Sequence, residues 1–223
     1  MSADRRITKK QIKEDRLVTT AFKASEYIQK NKTPFILGGS AVGIIFIVVV
    51  LMLWNADKKR NEAQALLARA QIGLDTGQGA TAIDDLITLT ESYSGTDFAA
   101  QACFYLGAYY YNKKDYATAL QYYNKIISLY DKDKLMLASS YAGAAACHEI
   151  QGDNMEAARL YSQAAGINPD KLWAPDYLLQ AGADFLIAGD TLQARSAYAA
   201  VDSLYGSTPQ AGRARKLLAE VSG

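Results

Sequence analysis

Residues 152–169 read GDNMEAARLYSQAAGINP, and the spacing within them decides the fold. Ala157 is followed four residues later by Tyr161 and three further on by Ala164, which puts all three on one face of a helix. The same spacing returns as Ala82, Leu86, Leu89, as Ala119, Tyr123, Ile126, and as Ala194, Tyr198, Val201. The units are 37, 38 and 37 residues apart. A period of that size describes an array of similar modules rather than a single-core enzyme domain. Arrays of this kind usually bind other proteins.

Each unit reads as two helices and a turn. Gly152-Asp153 closes the first helix of unit three, since glycine takes up the left-handed cap and aspartate caps the second helix. Gly189-Asp190 serves unit four in the same way, Lys114-Asp115 unit two and Gly77-Gln78 unit one. Asn168-Pro169 stops the second helix of unit three, because proline cannot donate into a continuing ladder. Alanine and glycine at the helix contacts let backbones approach, and tyrosine and leucine fill the space between them.

These residues resemble the tetratricopeptide repeat, whose pattern runs aromatic, Leu-Gly, aromatic, Ala, aromatic, Ala, Pro. Unit two shows Leu106-Gly107, Tyr110, Tyr116, Ala119 and Tyr123. Unit three shows Tyr141, Gly152-Asp153, Ala157, Tyr161, Ala164 and Pro169, the fullest match. Unit four shows Gly182, Phe185, Ala194 and Tyr198. Unit one departs most, with Arg69 and Gly73 where the family has leucine and an aromatic. The interval also exceeds the family's usual ~34 residues. The expected fold is all-α, an α-solenoid of about four such hairpins (units about 63–99, 100–137, 138–174 and 175–207). A capping helix over 208–221 completes it, opened by Thr208-Pro209, with Ala211, Ala214, Leu217, Leu218 and Val221 at helical spacing.

The resemblance also implies a place for ligands, the concave surface of the first helices. On this chain it would comprise Phe104, Ala108 and Tyr111 in unit two, Ala142, Ala146 and Glu149 in unit three, and Leu179, Ala183, Leu186 and Ile187 in unit four. Members that dock chaperone carboxylates carry Lys, Arg and Asn at such places. Here nearly all are small, aliphatic or aromatic, so the trough suits an apolar helix or extended segment rather than a carboxylate. The alternative for the same residues is packing between helices or against another copy of the chain.

Upstream of the array, no charged residue occurs from Thr33 to Asn55, and residues 35–54 read FILGGSAVGIIFIVVVLMLW. About 20 apolar residues at ~1.5 Å each span ~30 Å, the hydrocarbon thickness of a bilayer. The expectation is therefore a single transmembrane helix over 33–56 between a tail, 1–32, and the array, 57–223. A tail of 32 residues is too long for a cleaved leader, and Trp54-Asn55-Ala56 makes a poor cleavage site. Arg5-Arg6 lies too far from the apolar run for a twin-arginine signal. The tail carries nine Lys/Arg against four Asp/Glu, while 57–223 carries 15 against 19. A short basic tail resists translocation, which predicts a cytoplasmic N-terminus, an inner-membrane anchor and a periplasmic array.

Two further features sit in these segments. Leu17, Val18, Ala21, Phe22 and Ile28 fall near one helical face, with Lys13, Arg16, Lys23 and Lys30 mostly elsewhere, a pattern that suits membrane lipid or a solvated tail. Gly39 and Gly43 are spaced as in helices that approach a second copy, which would make a homodimer contact.

Catalysis finds little in the sequence. His148, the only histidine, aligns with an aromatic packing position, and one histidine excludes multi-histidine zinc sites. Cys103 and Cys147 lie on different expected helices and read as buried free thiols. Asp84-Asp85 reads as a solvated helix face without a second carboxylate pair. There is no phosphate-cradling glycine loop, no cofactor is called for, and the acidic array argues against nucleic acid.

The chain is thus expected to be no enzyme but a membrane-anchored scaffold for protein or peptide partners. An anchor with an exported array behind it resembles the ancillary tetratricopeptide subunits of the bacterial SecYEG translocon, which implies translocon clients and periplasmic chaperones as partners. Two other readings stay open: an envelope-assembly or cell-division scaffold, and an organelle import receptor with its repeats in the cytosol.

Overall fold

The computed structural model describes residues 18–20, 22–23, 25–27, 29–30, 32–76, 78–130, 132–167 and 172–222; in its first long helix, side chains are described from Gly43 onward. The chain falls into two units, Met1–Lys58 and Lys59–Gly223. Among the described residues there is no strand.

Helix α1 runs without a break over Lys32–Asp75. The sequence led us to expect an apolar helix ending near 56 and a separate first repeat helix, yet the two are continuous. The linking stretch Asp57-Lys58-Lys59-Arg60-Asn61-Glu62-Ala63 holds neither proline nor glycine and several good helix formers, so nothing stops the helix there. Among the described residues, no helix is long and apolar enough to cross a membrane. Asp57, Lys58, Lys59 and Arg60 follow within six residues of Trp54 and belong to the same helix. This corrects the expectation of a single-pass inner-membrane protein with a cytoplasmic N-terminus and a periplasmic array. Leu17, Ala21, Ile28, Lys13 and Arg16 of the tail lie outside the described residues, as do the surroundings of Gly39. Nothing stands within 4 Å of where a Cβ on Gly43 would project.

The array is built as the repeats require. After α1 come α2 (Gly79–Ser92), α3 (Asp97–Asn112), α4 (Tyr116–Leu129), α5 (Lys134–Ile150), α6 (Asn154–Ile167), α7 (Ala174–Ile187), α8 (Thr191–Leu204) and α9 (Pro209–Ser222). The fold is all-α and tetratricopeptide-like: each helix from α2 onward packs on the next, and α3 also meets α5 and α7 meets α9.

One turn is used three times. At the end of α5, the Asp153 N–H donates to the His148 carbonyl at 2.9 Å, a six-residue closure that needs a left-handed residue at Gly152, whose φ is 82°. Asp190 with Phe185 (2.8 Å) and Asp115 with Tyr110 (2.9 Å) repeat it around Gly189 and Lys114. The aspartate side chain then turns forward and accepts from the next helix, from the Glu156 N–H at 3.4 Å, the Gln193 N–H at 3.0 Å and the Thr118 N–H at 3.2 Å. A single residue closes one helix and opens the next. In unit one the Gln78 N–H closes onto the Gly73 carbonyl at 2.8 Å, but Gln78 provides no side-chain cap. Gly77 and the expected stop at Asn168-Pro169 lie outside the described residues.

The residues that carry the period form the core. Ala82, Leu86, Leu89, Ala119, Ile126, Ala157, Ala194, Tyr198 and Val201 are all but completely buried. Glycine makes room for tyrosine: a Cβ on Gly107 or Gly143 would lie 2.8 or 2.5 Å from the Tyr123 ring, and one on Gly182 would lie 2.3 Å from Tyr198. Cys103 and Cys147 are buried and unbridged, and burial pushes both thiols up to about 11. Helix α9 contributes buried Ala211 and Ala214, and its partly buried Leu217, Leu218 and Val221 pack against the cluster around Tyr198 and Val201. The Thr208 hydroxyl accepts from the Ala211 N–H at 3.3 Å and starts that helix.

One side chain departs from its expected role. Asp85 is buried rather than part of a solvated face, and the Arg69 guanidinium grips it with two hydrogen bonds, one of them Nε to Oδ2 at 2.6 Å. Arg69 stands where the repeat has leucine. The pair replaces an apolar contact between α1 and α2, which is why both departures occur in the same unit.

Candidate functional site

The first helices of units two to four, α3, α5 and α7, carry ten side chains that the sequence marks for a ligand surface. The structure leaves Phe104, Ala108, Tyr111, Ala142, Ala146, Glu149, Ala183 and Leu186 half-buried and Ile187 exposed, and buries Leu179 in the core around Tyr161 and Phe185. Several of the half-buried residues also pack inward. Phe104 meets Tyr123 edge-on at 6.2 Å, Tyr111 meets Tyr116 at 5.5 Å, and Ala142, Ala146 and Leu186 lie against the same core as Leu179. Ile150 is an exposed apolar residue at the place in α5 that Ile187 holds in α7, and the 37-residue period would have found it.

The polar part of this surface is more informative. Glu149 accepts a hydrogen bond from the Tyr161 hydroxyl at 3.2 Å. Burial and then Glu149 push the Tyr161 phenol well above the ordinary tyrosine range, with Asp184 and Tyr111 adding to it. The Tyr111 phenol is raised by burial first, then by Cys147, Tyr116 and Glu149. Asp184 is 2 % exposed, and its Oδ2 has no hydrogen-bond partner. Burial, with a smaller push from repulsion by Glu149, lifts its carboxyl to about 6. The structure therefore brings Tyr111 of α3 and Glu149 of α5 together with two residues the sequence analysis did not single out, Tyr161 of α6 and Asp184 of α7.

Asp184 did leave a signal. The corresponding places in units two and three hold Tyr109 and Cys147, so a carboxylate there breaks a packing position.

A cleft of about 430 Å³ lies elsewhere, between the turn before α3 and the start of α5, lined by Asp97, Gln101, Tyr130, Lys132 and Met136 among others. None of the expected ligand residues lines it. Among the described residues no group of three or more His, Cys, Asp or Glu is arranged to hold a metal ion. His148 is half-buried, with Nδ1 3.4 Å from Asp153 Oδ2.

No protein-family model matches this chain, and no curated protein matches it. Among solved structures it is similar to PcrH from Pseudomonas aeruginosa, with 22% identity over 57% of this chain and 95% of that one, at a TM-score of 0.47. It is also similar to the N-terminal domain of stress-induced protein-1 (STI-1) from C. elegans, with 22% identity over 58% of this chain and 98% of that one, at a TM-score of 0.49. The assignment of a tetratricopeptide-like architecture rests on the repeated helical pairs and their shared turn.

Proposed function

We propose that this protein is a non-catalytic scaffold that binds a segment of a partner protein along α3, α5 and α7. The observation that carries the reading is the equivalent placement of small and aromatic side chains on these three helices. Ala108, Ala142, Ala146 and Ala183 leave low ground, and Phe104, Tyr111 and Leu186 stand beside it, none of them fully buried. Alanine at those places keeps the surface open to a backbone, and partly exposed rings supply apolar area at small entropic cost.

A narrower reading names the partners as translocon components and chaperones, and its support is the likeness in organisation, an apolar N-terminal helix ahead of a repeat array, to the ancillary translocon subunits. Both readings are tested by placing a photo-crosslinking residue at Phe104 or Leu186 of the full chain, in cells that make it, and identifying what is captured. Translocon or chaperone subunits support the narrower reading. Defined segments of other proteins support the broader one alone. Capture of nothing but copies of this chain rejects both.

A further inference from the structure

The part of the ligand surface between α5 and α7 is negatively charged in a way the fold does not need. Helices α3, α5 and α7 hold four carboxylates, Asp97, Glu149, Asp176 and Asp184, and only one lysine, Lys134 in the first turn of α5. Asp97 and Asp176 lie in first turns, where the helix dipole welcomes an anion. Glu149 and Asp184 are at the opposite ends. Glu149 is next to last in α5, and Asp184 is within the final turn of α7, where the dipole favours a cation. A buried carboxylate is ordinarily paired. Asp184 has no hydrogen bond to its Oδ2, and among the described residues the groups it interacts with electrostatically are Glu149 on α5, Tyr161 on α6 and Tyr198 on α8, none of them cationic. The Arg69–Asp85 pair shows what this chain does with a buried aspartate where a partner is at hand.

We propose that Glu149, Tyr161 and Asp184 form a subsite for one cationic side chain, a lysine or arginine, of the segment bound along α3, α5 and α7. This rests on the scaffold reading above and specifies the chemistry of its partner. The Tyr161 hydroxyl orients the Glu149 carboxylate by its hydrogen bond, which leaves lone pairs of that half-exposed carboxylate for the N–H groups of the ligand, while the buried Asp184 adds its negative charge without touching the ligand. The stacked Tyr161 and Tyr177 rings, 6.4 Å apart, offer apolar cover to the alkyl stem. Discrimination comes from the carboxylates: an uncharged side chain of equal length leaves their charge uncompensated.

The test uses the full chain and four capped nine-residue peptides that alternate alanine and leucine and carry lysine, arginine, norleucine or glutamate at the centre, each titrated to millimolar concentration. Lysine and arginine peptides are expected to bind at least tenfold more tightly than the norleucine peptide, and the glutamate peptide more weakly still. Glu149→Gln and Asp184→Asn should each remove most of that preference while thermal unfolding remains cooperative; Glu149→Gln, at a half-exposed site, guards against a folding defect at Asp184. Equal binding of lysine and norleucine peptides overturns the subsite, as does a preference that survives both substitutions or no detectable binding of the lysine peptide. If the norleucine peptide still crosslinks at Phe104 and Leu186 in that event, the scaffold reading stands without the subsite.

Discussion

Lys114 sits where its counterparts Gly152 and Gly189 sit, with φ at 61° against 82° and 83°. An L-residue in that region costs ~1–2 kcal/mol from the approach of Cβ to the following carbonyl, part of which glycine returns as backbone entropy in the unfolded chain. Lys114→Gly should therefore stabilise the protein by about 0.5–1 kcal/mol, and Gly152→Ala should destabilise it by about 1–2 kcal/mol, both measured by urea unfolding with unchanged slope. Asp184 supplies a second prediction at this scale. Its folded carboxyl titrates at about 6, above its ordinary 3.8, so the folded chain holds that proton more tightly than the unfolded chain. The buried charge is a full burden above pH 6, and the burden fades as the pH falls toward 4. Asp184→Asn should be the more stable protein at pH 8, by on the order of 1–2 kcal/mol, and level with its parent near pH 4. Comparing the two proteins cancels the other carboxylates. A gap of the same size at both values would mean that the aspartate acts by packing alone.

At the scale of the element, stability turns on whether a helix has its cap and whether its neighbour has room. Gln78 begins α2 without a side-chain cap, while aspartate does that work at the same turn in the other three units. Gln78→Asp should add about 0.5–1 kcal/mol, read as a higher unfolding midpoint. Gly182→Ala should lose about 1–3 kcal/mol, because its Cβ would sit 2.3 Å from the Tyr198 ring, which is enclosed on all sides and cannot retreat. These elements were largely legible in the sequence. Glycine-aspartate turns and an Ala-x-x-x-Tyr spacing are local, so a period of 37 residues exposes them. Unit one was harder, since its fit is set by pairing across helices: Arg69 answers Asp85, and Gly73 lets α1 approach α2 until a Cβ would lie 3.0 Å from that of Ala82. The burial of Asp85 and of Asp184 was illegible for the same reason. Helical periodicity says which face a carboxylate is on, not whether another helix closes over it. The apolar run was legible as a helix, while its continuation into the first repeat was not, because the absence of a stop signal between 55 and 63 is a weaker mark than its presence.

For the whole array, stability is a sum over neighbours, since each unit touches only the next, and the end of the series carries a particular weight. Helix α9 is the last described helix. Its Ala211 and Ala214 are fully buried, and Leu217, Leu218 and Val221 lie against the cluster that also holds Leu179, Phe185, Tyr198 and Val201. Its other side carries Arg213, Arg215 and Lys216, all exposed, with Arg215 reaching Asp202 of α8 at 3.3 Å. Removing residues 208–223 would uncover Tyr198 and Val201 and lose on the order of 3–5 kcal/mol of apolar burial. The loss would not be spread evenly. Unit four borders the cut, so hydrogen exchange should speed up across α7 and α8 while α3 and α4 keep their protection. Asp184 lies in α7, and the proposed cation subsite should therefore fail in the truncated chain even if units two and three remain folded. Uniform acceleration across all helices would instead show that the array unfolds as one cooperative block, in which case the cap, the subsite and the distant Arg69–Asp85 pair would be linked by a single equilibrium.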